Sequence, residues 1–286
     1  MDISFLVLPY DSGHEGRRMG AGPARLLPVL EEKLSQAGHA TTTTVVRIAD
    51  ALPAEINFAF TLYQALAGQV RVAREQQRFP LVLAGNCGAA LGTVAGVGAP
   101  QAGVVWLDAH GDFNTPETST SGFLDGMGLA ILTGQCWRPL AASIPGFAPV
   151  SPTHVVHVGG RDFGNAEQAA LLQTGVQVVA PGQITGSGSP ALRAALTQLA
   201  AQVPECYLHV DLDVLDAEQV GRANTYAQPG GLTVEQVLGV VRAVQQHLRV
   251  TALTFASYDP LADTAGRVLA AAADIARQVV NGSAGE

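Results

Sequence analysis

The sequence predicts a three-layer α/β/α fold with a mainly parallel sheet. Short, nearly continuous runs of Val, Leu and Ile alternate with longer stretches rich in Ala, Leu and Gln. Runs that are apolar throughout are typical of strands buried on both faces, as in a parallel sheet covered by helices on both sides. Hydrophobic residues make up 48% of the 286 residues, and the mean hydropathy is positive, so a well-buried core is expected.

The apolar runs predict strands, and the stretches between them predict helices. In chain order, the predicted strands are residues 3–9, 80–84, 104–108, 154–158, 176–180, 206–213 and 251–255. The predicted helices are residues 24–36, 58–75, 190–201, 234–246 and 264–280. Neither a repeat nor a linker divides the chain, so residues 1–286 are expected to form a single domain.

Composition excludes several classes of partner. A net charge of −8 with only 16 Lys and Arg argues against nucleic-acid binding. No run approaches the roughly 18 apolar residues that a membrane helix needs, and the first residues predict a strand instead of a signal peptide. Three cysteines without framework spacing suit a reducing cytoplasm. We therefore expect a cytoplasmic protein with a small-molecule partner; a homo-oligomer is possible, but no sequence feature supports one.

Metal-binding side chains follow two of the predicted strands. Asp108, His110 and Asp112 come directly after one strand, and Asp211 and Asp213 end another. Residues two apart on a strand face the same way, so neighbouring strand ends would place these groups in one crevice. Bare carboxylates so close together would repel each other, and two divalent cations would relieve that repulsion. The alternative is that these acids cap the helices that follow the strands.

The motifs resemble those of the ureohydrolase family, which includes arginase and agmatinase. Residues 108–112, D-A-H-G-D, match the family's D-A-H-x-D; residues 211–216, D-L-D-V-L-D, match its D-x-D-x-L-D. The resemblance implies an arginase-like fold and hydrolysis of a guanidine-type C–N bond by a hydroxide that bridges two metals. Asp108 and Asp211 would bridge the metals, His110 and Asp213 would bind one, and Asp112 would bind the other and orient the hydroxide.

Cys87 is the first departure from the family pattern. The family has G-G-D-H-S where this chain has A-G-N-C-G at residues 84–88, and the family's His, a metal ligand, falls on Cys87. We expect the Cys87 thiolate to replace that His, because every other ligand position is intact. The alternative is that Cys87 is a small buried thiol, one metal is lost and the enzyme is weakened or inactive. The resemblance implies Mn²⁺, whereas a thiolate ligand would favour Zn²⁺ or Fe²⁺.

Ser257 is the second departure. It stands where the family's E-V-N-P pattern has a Glu that pairs with the guanidinium of the substrate. A weakly basic guanidine, such as an N-hydroxyguanidine, would lose little by this change. The alternative is a local misalignment, with Asp259 serving in place of that Glu.

Asp125 is the third departure. Arginases carry at this position a His that shuttles protons to the leaving amine. The Asp125 carboxylate could take a proton from the substrate's hydroxyl and return it to the amine. It could equally be a surface acid of the loop 123–126.

The loop 114–122, N-T-P-E-T-S-T-S-G, closely matches the arginase loop that contacts an amino acid. The resemblance implies that Asn114 and Ser121 contact the α-carboxylate and that Glu167 lies near the α-amino group. The arginase Asp that also contacts this amine corresponds to Gly164. An ordinary solvated loop is the alternative.

Together, these features predict a metal-dependent hydrolase that converts Nω-hydroxy-L-arginine to hydroxyurea and L-ornithine. The combination resembles the branch of the family that performs this reaction in D-cycloserine biosynthesis. One alternative is an arginase or another guanidine hydrolase. A second is a non-catalytic relative that binds amino acids or a partner subunit, and such a protein should bind fewer than two ions.

Overall fold

A computed structural model describes residues 1–48, 54–98, 102–185 and 189–283. One large sheet dominates it, and a short hairpin lies beside its first strand. The strands, numbered in chain order, are β1 (Asp2–Leu8), β2 (Tyr10–Asp11), β3 (His14–Glu15), β4 (Ala40–Val45), β5 (Phe79–Ala84), β6 (Gly103–Leu107), β7 (Val155–Val158), β8 (Gln177–Val179), β9 (Glu205–Asp211) and β10 (Arg249–Ala256).

The large sheet has the order β4-β1-β5-β10-β9-β6-β7-β8. Each neighbouring pair within it is parallel, and β2 and β3 form the separate antiparallel hairpin. The central strands β5, β10, β9 and β6 are almost wholly buried because helices cover both faces. Their carboxyl ends lie side by side, which is where ligands bind in open α/β sheets.

Helices form the two outer layers. They are α1 (Gly22–Gln36), α2 (Glu55–Glu75), α3 (Ala89–Val97), α4 (Gly128–Leu132), α5 (Arg138–Ala141), α6 (Asn165–Thr174), α7 (Pro190–Ala200), α8 (Val234–His247) and α9 (Arg267–Ser283). Helices α1, α9, α8 and α7 pack in succession over one face, and α2, α3 and α4 pack over the other. The predicted three-layer fold with a mainly parallel sheet is confirmed. Within the described ranges, no helix has the length and apolar character needed to cross a bilayer.

Two strand-end assignments need correction. The prediction placed residues 206–213 in one strand, but β9 ends at Asp211 and a 3-10 turn, Leu212–Val214, follows it. Likewise, β6 ends one residue before Asp108. The aspartates of both motifs therefore stand at or just beyond the strand end, so strand alternation does not explain how Asp213 or His110 turns toward its neighbour.

Gly22 allows α1 to approach the loop that carries Ser257. A Cβ at Gly22 would collide with the carbonyl oxygen of Tyr258. We expect Gly22→Ala to destabilise the protein by about 1–3 kcal/mol or more, because backbone must move. Gly68→Ala in α2 is the control: its Cβ would meet nothing within 4 Å, so a gain of about 0.5–1 kcal/mol is expected. Urea unfolding midpoints measure both changes, and equal midpoints would contradict the close approach.

Candidate metal centre

Each of the two acidic motifs is folded by a turn at the end of its strand. The backbone N–H of His110 donates to Asp108 Oδ1 at 2.7 Å, and the N–H of Asp213 donates to Asp211 Oδ1 at 2.8 Å. An aspartate that accepts the N–H two residues later forms a compact turn. The N–H of Ala109 also donates to Asp213 Oδ1 at 3.2 Å, which ties the two motifs together. Turn chemistry thus produces the convergence that the sequence attributed to strand alternation.

Asp108 belongs to two groups of side chains that could each hold a metal ion. The ligand atoms of Cys87, Asp108 and Asp112 lie within 4.8 Å of one another, and so do those of Asp108, His110 and Asp213. A residue shared by two groups is placed to touch two neighbouring ions. The indole N–H of Trp106 donates a hydrogen bond to Asp108 Oδ2 at 3.0 Å, which fixes the orientation of this carboxylate.

Asp211 connects the same two groups from the neighbouring strand. Its Oδ2 accepts a hydrogen bond from Cys87 Sγ at 3.0 Å, while its Oδ1 holds the backbone of Asp213. Asn224 links Asp213 to the loop of Ser257, because its Nδ2 donates to Asp213 Oδ2 at 3.2 Å and to the carbonyl oxygen of Ser257 at 2.8 Å. The structure therefore brings all six predicted ligand side chains into one crevice: Cys87, Asp108, His110, Asp112, Asp211 and Asp213.

Asp112 shows most directly that the crevice suits a cation. Its Oδ2 is buried and has no hydrogen-bond partner, and its backbone has a φ of 48°, a conformation uncommon outside Gly, Asn and Asp. Burial raises the pKa of Asp112 well above its usual range, and the carboxylates of Asp108, Asp125 and Asp211 raise it further. A buried, unpartnered oxygen among like charges is costly unless a cation or a proton neutralises it. Oxygen, nitrogen and sulfur donors in this set fit two divalent metals.

Among the remaining ligand candidates, His110 and Asp213 form a charged pair, whereas Cys87 is a thiol that donates a hydrogen bond to Asp211. Burial opposes charge on His110, but Asp213 and Asp108 outweigh it and raise the pKa of His110 to about 12. Although burial opposes ionisation of Asp213, the His110 cation lowers its pKa below the usual range. Burial and nearby Asp211 raise the pKa of the Cys87 thiol, which must lose its proton to become a ligand.

Ser257 lines the same pocket as the metal candidates, and Asp259 does not. The Ser257 hydroxyl lies 3.4 Å from Cys87 Sγ, so the two departures from the family pattern contact each other. Asp259 is turned into the loop instead, where its Oδ1 accepts the N–H of Leu261 at 2.9 Å. The misalignment reading, with Asp259 in place of the missing Glu, is therefore wrong.

Asp125 is buried at the wall of the pocket, so the surface-acid reading is wrong. Its two oxygens accept hydrogen bonds from Asn86 Nδ2 at 2.8 Å and from the N–H of Gly88 at 3.0 Å. Burial raises the pKa of Asp125 to about 7, and the two hydrogen bonds limit that rise. In the metal-free protein the carboxyl group can therefore accept or give up a proton near neutral pH.

The predicted substrate contacts line the outer part of the pocket. Asn114, Ser121 and Glu167 all face it, together with Ser119. Glu167 is fixed by the N–H groups of residues 113 and 164, one on each carboxylate oxygen, and each oxygen keeps a free lone pair. Asn114 Oδ1 accepts a hydrogen bond from the Thr118 hydroxyl, so the loop 114–122 is held by its own side chains.

Several pocket residues were not predicted from the sequence. Phe123 and Tyr226 lie at the mouth with their ring centroids 5.8 Å apart, and Asp162 lies 3.7 Å from His110 Nε2. Asn224 and Asn86 are the polar partners of Asp213 and Asp125. Apart from Asn86, which directly precedes Cys87, none belongs to a motif with metal-ligand spacing, and only the fold reveals that these loops meet.

Comparisons with known proteins support the family resemblance that the sequence motifs indicate. A family model described as the arginase family matches residues 1–281. The arginase of Bacillus caldovelox is 28% identical over 91% of this chain and 92% of its own length. The N(omega)-hydroxy-L-arginine amidinohydrolase of Streptomyces lavendulae is 29% identical over 78% and 77%. The solved Bacillus subtilis arginase superposes with a TM-score of 0.87 at 28% identity over 98% of both chains. The chain belongs to the arginase family, and it is a hydrolase of C–N bonds in linear amidines.

Proposed function

We propose that this enzyme hydrolyses Nω-hydroxy-L-arginine to hydroxyurea and L-ornithine. The observation that carries the proposal is Ser257, which lines the pocket next to Cys87 at the position of the family's guanidinium-pairing Glu. A neutral hydroxyl cannot balance the full charge of a guanidinium. An N-hydroxyguanidine is much less basic, because its oxygen withdraws electrons, so it can bind without a carboxylate partner. The relative from Streptomyces lavendulae carries the name of this activity.

The cofactor in this proposal is a pair of divalent metal ions. Cys87, Asp108 and Asp112 would hold one ion, Asp108, His110 and Asp213 the other, and Asp211 would reach both. When bound, such a pair would lower the pKa of a water molecule and make it nucleophilic at neutral pH. Mn²⁺ is implied by the family, while the Cys87 sulfur favours Zn²⁺ or Fe²⁺.

The side chains around the reacting atoms orient the water, transfer the proton and bind the substrate. Asp112 would bind a metal through one carboxylate oxygen and accept a hydrogen bond from the attacking water through the other, so that the water is aimed at the hydroxyguanidine carbon. Asp125 accepts a proton from the substrate's hydroxyl group and delivers it to the nitrogen of ornithine that leaves when the C–N bond breaks, and a proton of the attacking water restores the hydroxyl. Asn114 and Ser121 bind the α-carboxylate of the amino acid, and Glu167 binds its α-amino group. Water adds across the C–N bond, so the atoms balance without a further reactant.

Arginase activity is the second candidate. It is favoured by the loop 114–122, which matches arginases, and by the many arginases among the similar proteins. It requires that a full guanidinium bind beside Ser257 without an ion pair, which costs affinity because a charged group is desolvated.

A direct competition between the two substrates tests the proposal. The protein is loaded with Mn²⁺, and separately with Zn²⁺, and ornithine is measured with L-arginine and with Nω-hydroxy-L-arginine. We expect kcat/KM to be at least about 100-fold higher for the hydroxylated substrate, the size of effect that one buried charge pair can produce. Preference for arginine with either metal would overturn the proposal and favour the second candidate.

A further inference from the structure

Asn86 lies between two buried carboxylates, that of Asp125, which lines the pocket, and that of Asp11. Its Nδ2 donates to Asp125 Oδ2 at 2.8 Å and lies 3.5 Å from Asp11 Oδ1. Its Oδ1 accepts the backbone N–H of Ser12 at 2.9 Å. A backbone N–H can only donate, so the amide oxygen must face Ser12 and the NH₂ group must face the carboxylates. The orientation of the Asn86 amide is therefore determined by its surroundings.

Asp125 depends on this amide for its own orientation. It stands in a short 3-10 turn, Asp125–Met127, and no strand supports it. One carboxylate oxygen is held by the Gly88 N–H and the other by Asn86. With a single hydrogen bond left, the carboxylate could rotate about its Cβ–Cγ bond; two bonds on different oxygens prevent this.

Asp11, the second carboxylate beside Asn86, is also held in place. Asp11 is only 2% exposed, and its charge is matched by Arg18, whose Nε donates to Asp11 Oδ2 at 2.7 Å. The next residue, Met19, lines the mouth of the pocket. A continuous series of polar contacts thus runs from the N-terminal loop through Asn86 to Asp125.

We propose that Asn86 is a positioning residue that holds the Asp125 carboxylate in the orientation needed to move the proton. This inference rests on the proposed role of Asp125 as proton carrier. It assigns Asn86 no contact with substrate or metal. The chemistry requires a donor here, because a carboxylate at residue 86 would face two others, Asp11 and Asp125.

The resembling family pattern has Asp at residue 86 and, in arginases, His at residue 125. A pair with Asp at residue 86 and His at residue 125 would exchange the roles, because the carboxylate could only accept the hydrogen bond and the imidazole could donate it. Because the two positions are in hydrogen-bonding contact in this chain, we expect them to act as a matched pair, in which each substitution is tolerated only with the other.

A double-mutant cycle tests the pairing. Asn86→Asp, Asp125→His and the double variant are compared for kcat, KM, metal content and thermal midpoint. We expect Asn86→Asp to lower kcat about 10–100-fold while KM changes less than about threefold and metal content is unchanged. If the two substitutions acted independently, the kcat of the double variant would fall by the product of the two single effects. We expect its kcat to be at least about tenfold higher than that. Asn57→Asp, the same change on the exposed surface of α2, should leave kcat unaltered.

Additive single effects would overturn the proposal, and so would a loss of metal equal to the loss of kcat in Asn86→Asp. Should that variant fold poorly, Asn86→Ala, which removes the donor without adding charge, takes its place with the same expected kcat loss. The cycle is run on whichever substrate the wild-type enzyme hydrolyses faster. The wild-type preference therefore reports on the proposed substrate, and the cycle alone reports on Asn86.

Discussion

Asp112→Asn is expected to stabilise the metal-free protein while it removes most of the activity. In the metal-free protein the Asp112 Oδ2 is buried without a partner among other carboxylates. Loss of that charge should raise the free energy of unfolding by about 1–3 kcal/mol, because a neutral amide at residue 112 is not repelled by the neighbouring carboxylates. In the metal-loaded protein, loss of a ligand and of the acceptor that orients water should lower kcat by about 10²–10³-fold or more.

The measurement is unfolding of the chelator-treated and the metal-loaded forms, together with kcat. We expect the wild type to gain more stability from added metal than Asp112→Asn gains, since a ligand that binds only the native state stabilises it. Asp162→Asn is the matched control, because Asp162 is half-exposed at the rim, 3.7 Å from His110. Its metal content and metal-free stability should stay at wild-type values. If the metal-free Asp112→Asn variant is less stable than the metal-free wild type, the carboxylates of the crevice do not destabilise the metal-free protein and the prediction is wrong.

Cys87→Ala is expected to reduce the metal content from two ions to one, whereas Cys87→His should retain both. Cys87 Sγ lies within 4.8 Å of the ligand atoms of Asp108 and Asp112, so its removal leaves that group with only carboxylates. Loss of one donor should weaken binding of that ion by at least about 100-fold. Histidine restores a donor but is less thiophilic, so the preference for Zn²⁺ over Mn²⁺ should fall.

Cobalt substitution provides a direct readout of the sulfur. A Co²⁺–thiolate bond gives an intense near-ultraviolet charge-transfer band, which we expect in the wild type and in Cys206→Ala but in neither Cys87 variant. Cys206 is the matched control because it is a fully buried thiol of β9 whose side chain packs in the hydrophobic core. If Cys87→Ala keeps two metals and full activity, Cys87 is not a ligand.

Most of the sheet could be predicted because its strands are buried on both faces. Continuous apolar runs such as residues 80–84 have no other common interpretation when helices flank them. The strand β4 was missed because its sequence is A-T-T-T-T-V and most of it is exposed at the edge of the sheet. Threonine favours strands, but an edge strand lacks the apolar signal. Helix α6 was missed for a related reason: few of its residues are buried, so its apolar pattern is weak.

The two motifs predicted which acidic side chains meet in the crevice, because each motif sits at the end of an unmistakable strand. Their polar partners could not be predicted. Asn86 contacts Asp125 across a separation of 39 residues, and Asn224 contacts Ser257 across 33. Such contacts depend on loop conformation, which no periodicity in the chain encodes. Burial of Asp125 likewise follows from the loops around it and not from its neighbours in sequence.

The strand order β5-β10-β9-β6 has a consequence for folding. The residues at the carboxyl ends of these four adjacent strands come from widely separated parts of the chain, between Cys87 and Ser257. No fragment that emerges early during synthesis can contain the complete site, since its ligands extend to Asp213 after β9 and Ser257 follows β10, the last strand added, which lies in the centre of the sheet. Such non-local pairing is intrinsically slow to form. Metal ions should therefore stabilise only the finished sheet, and added metal should slow unfolding much more than it speeds refolding.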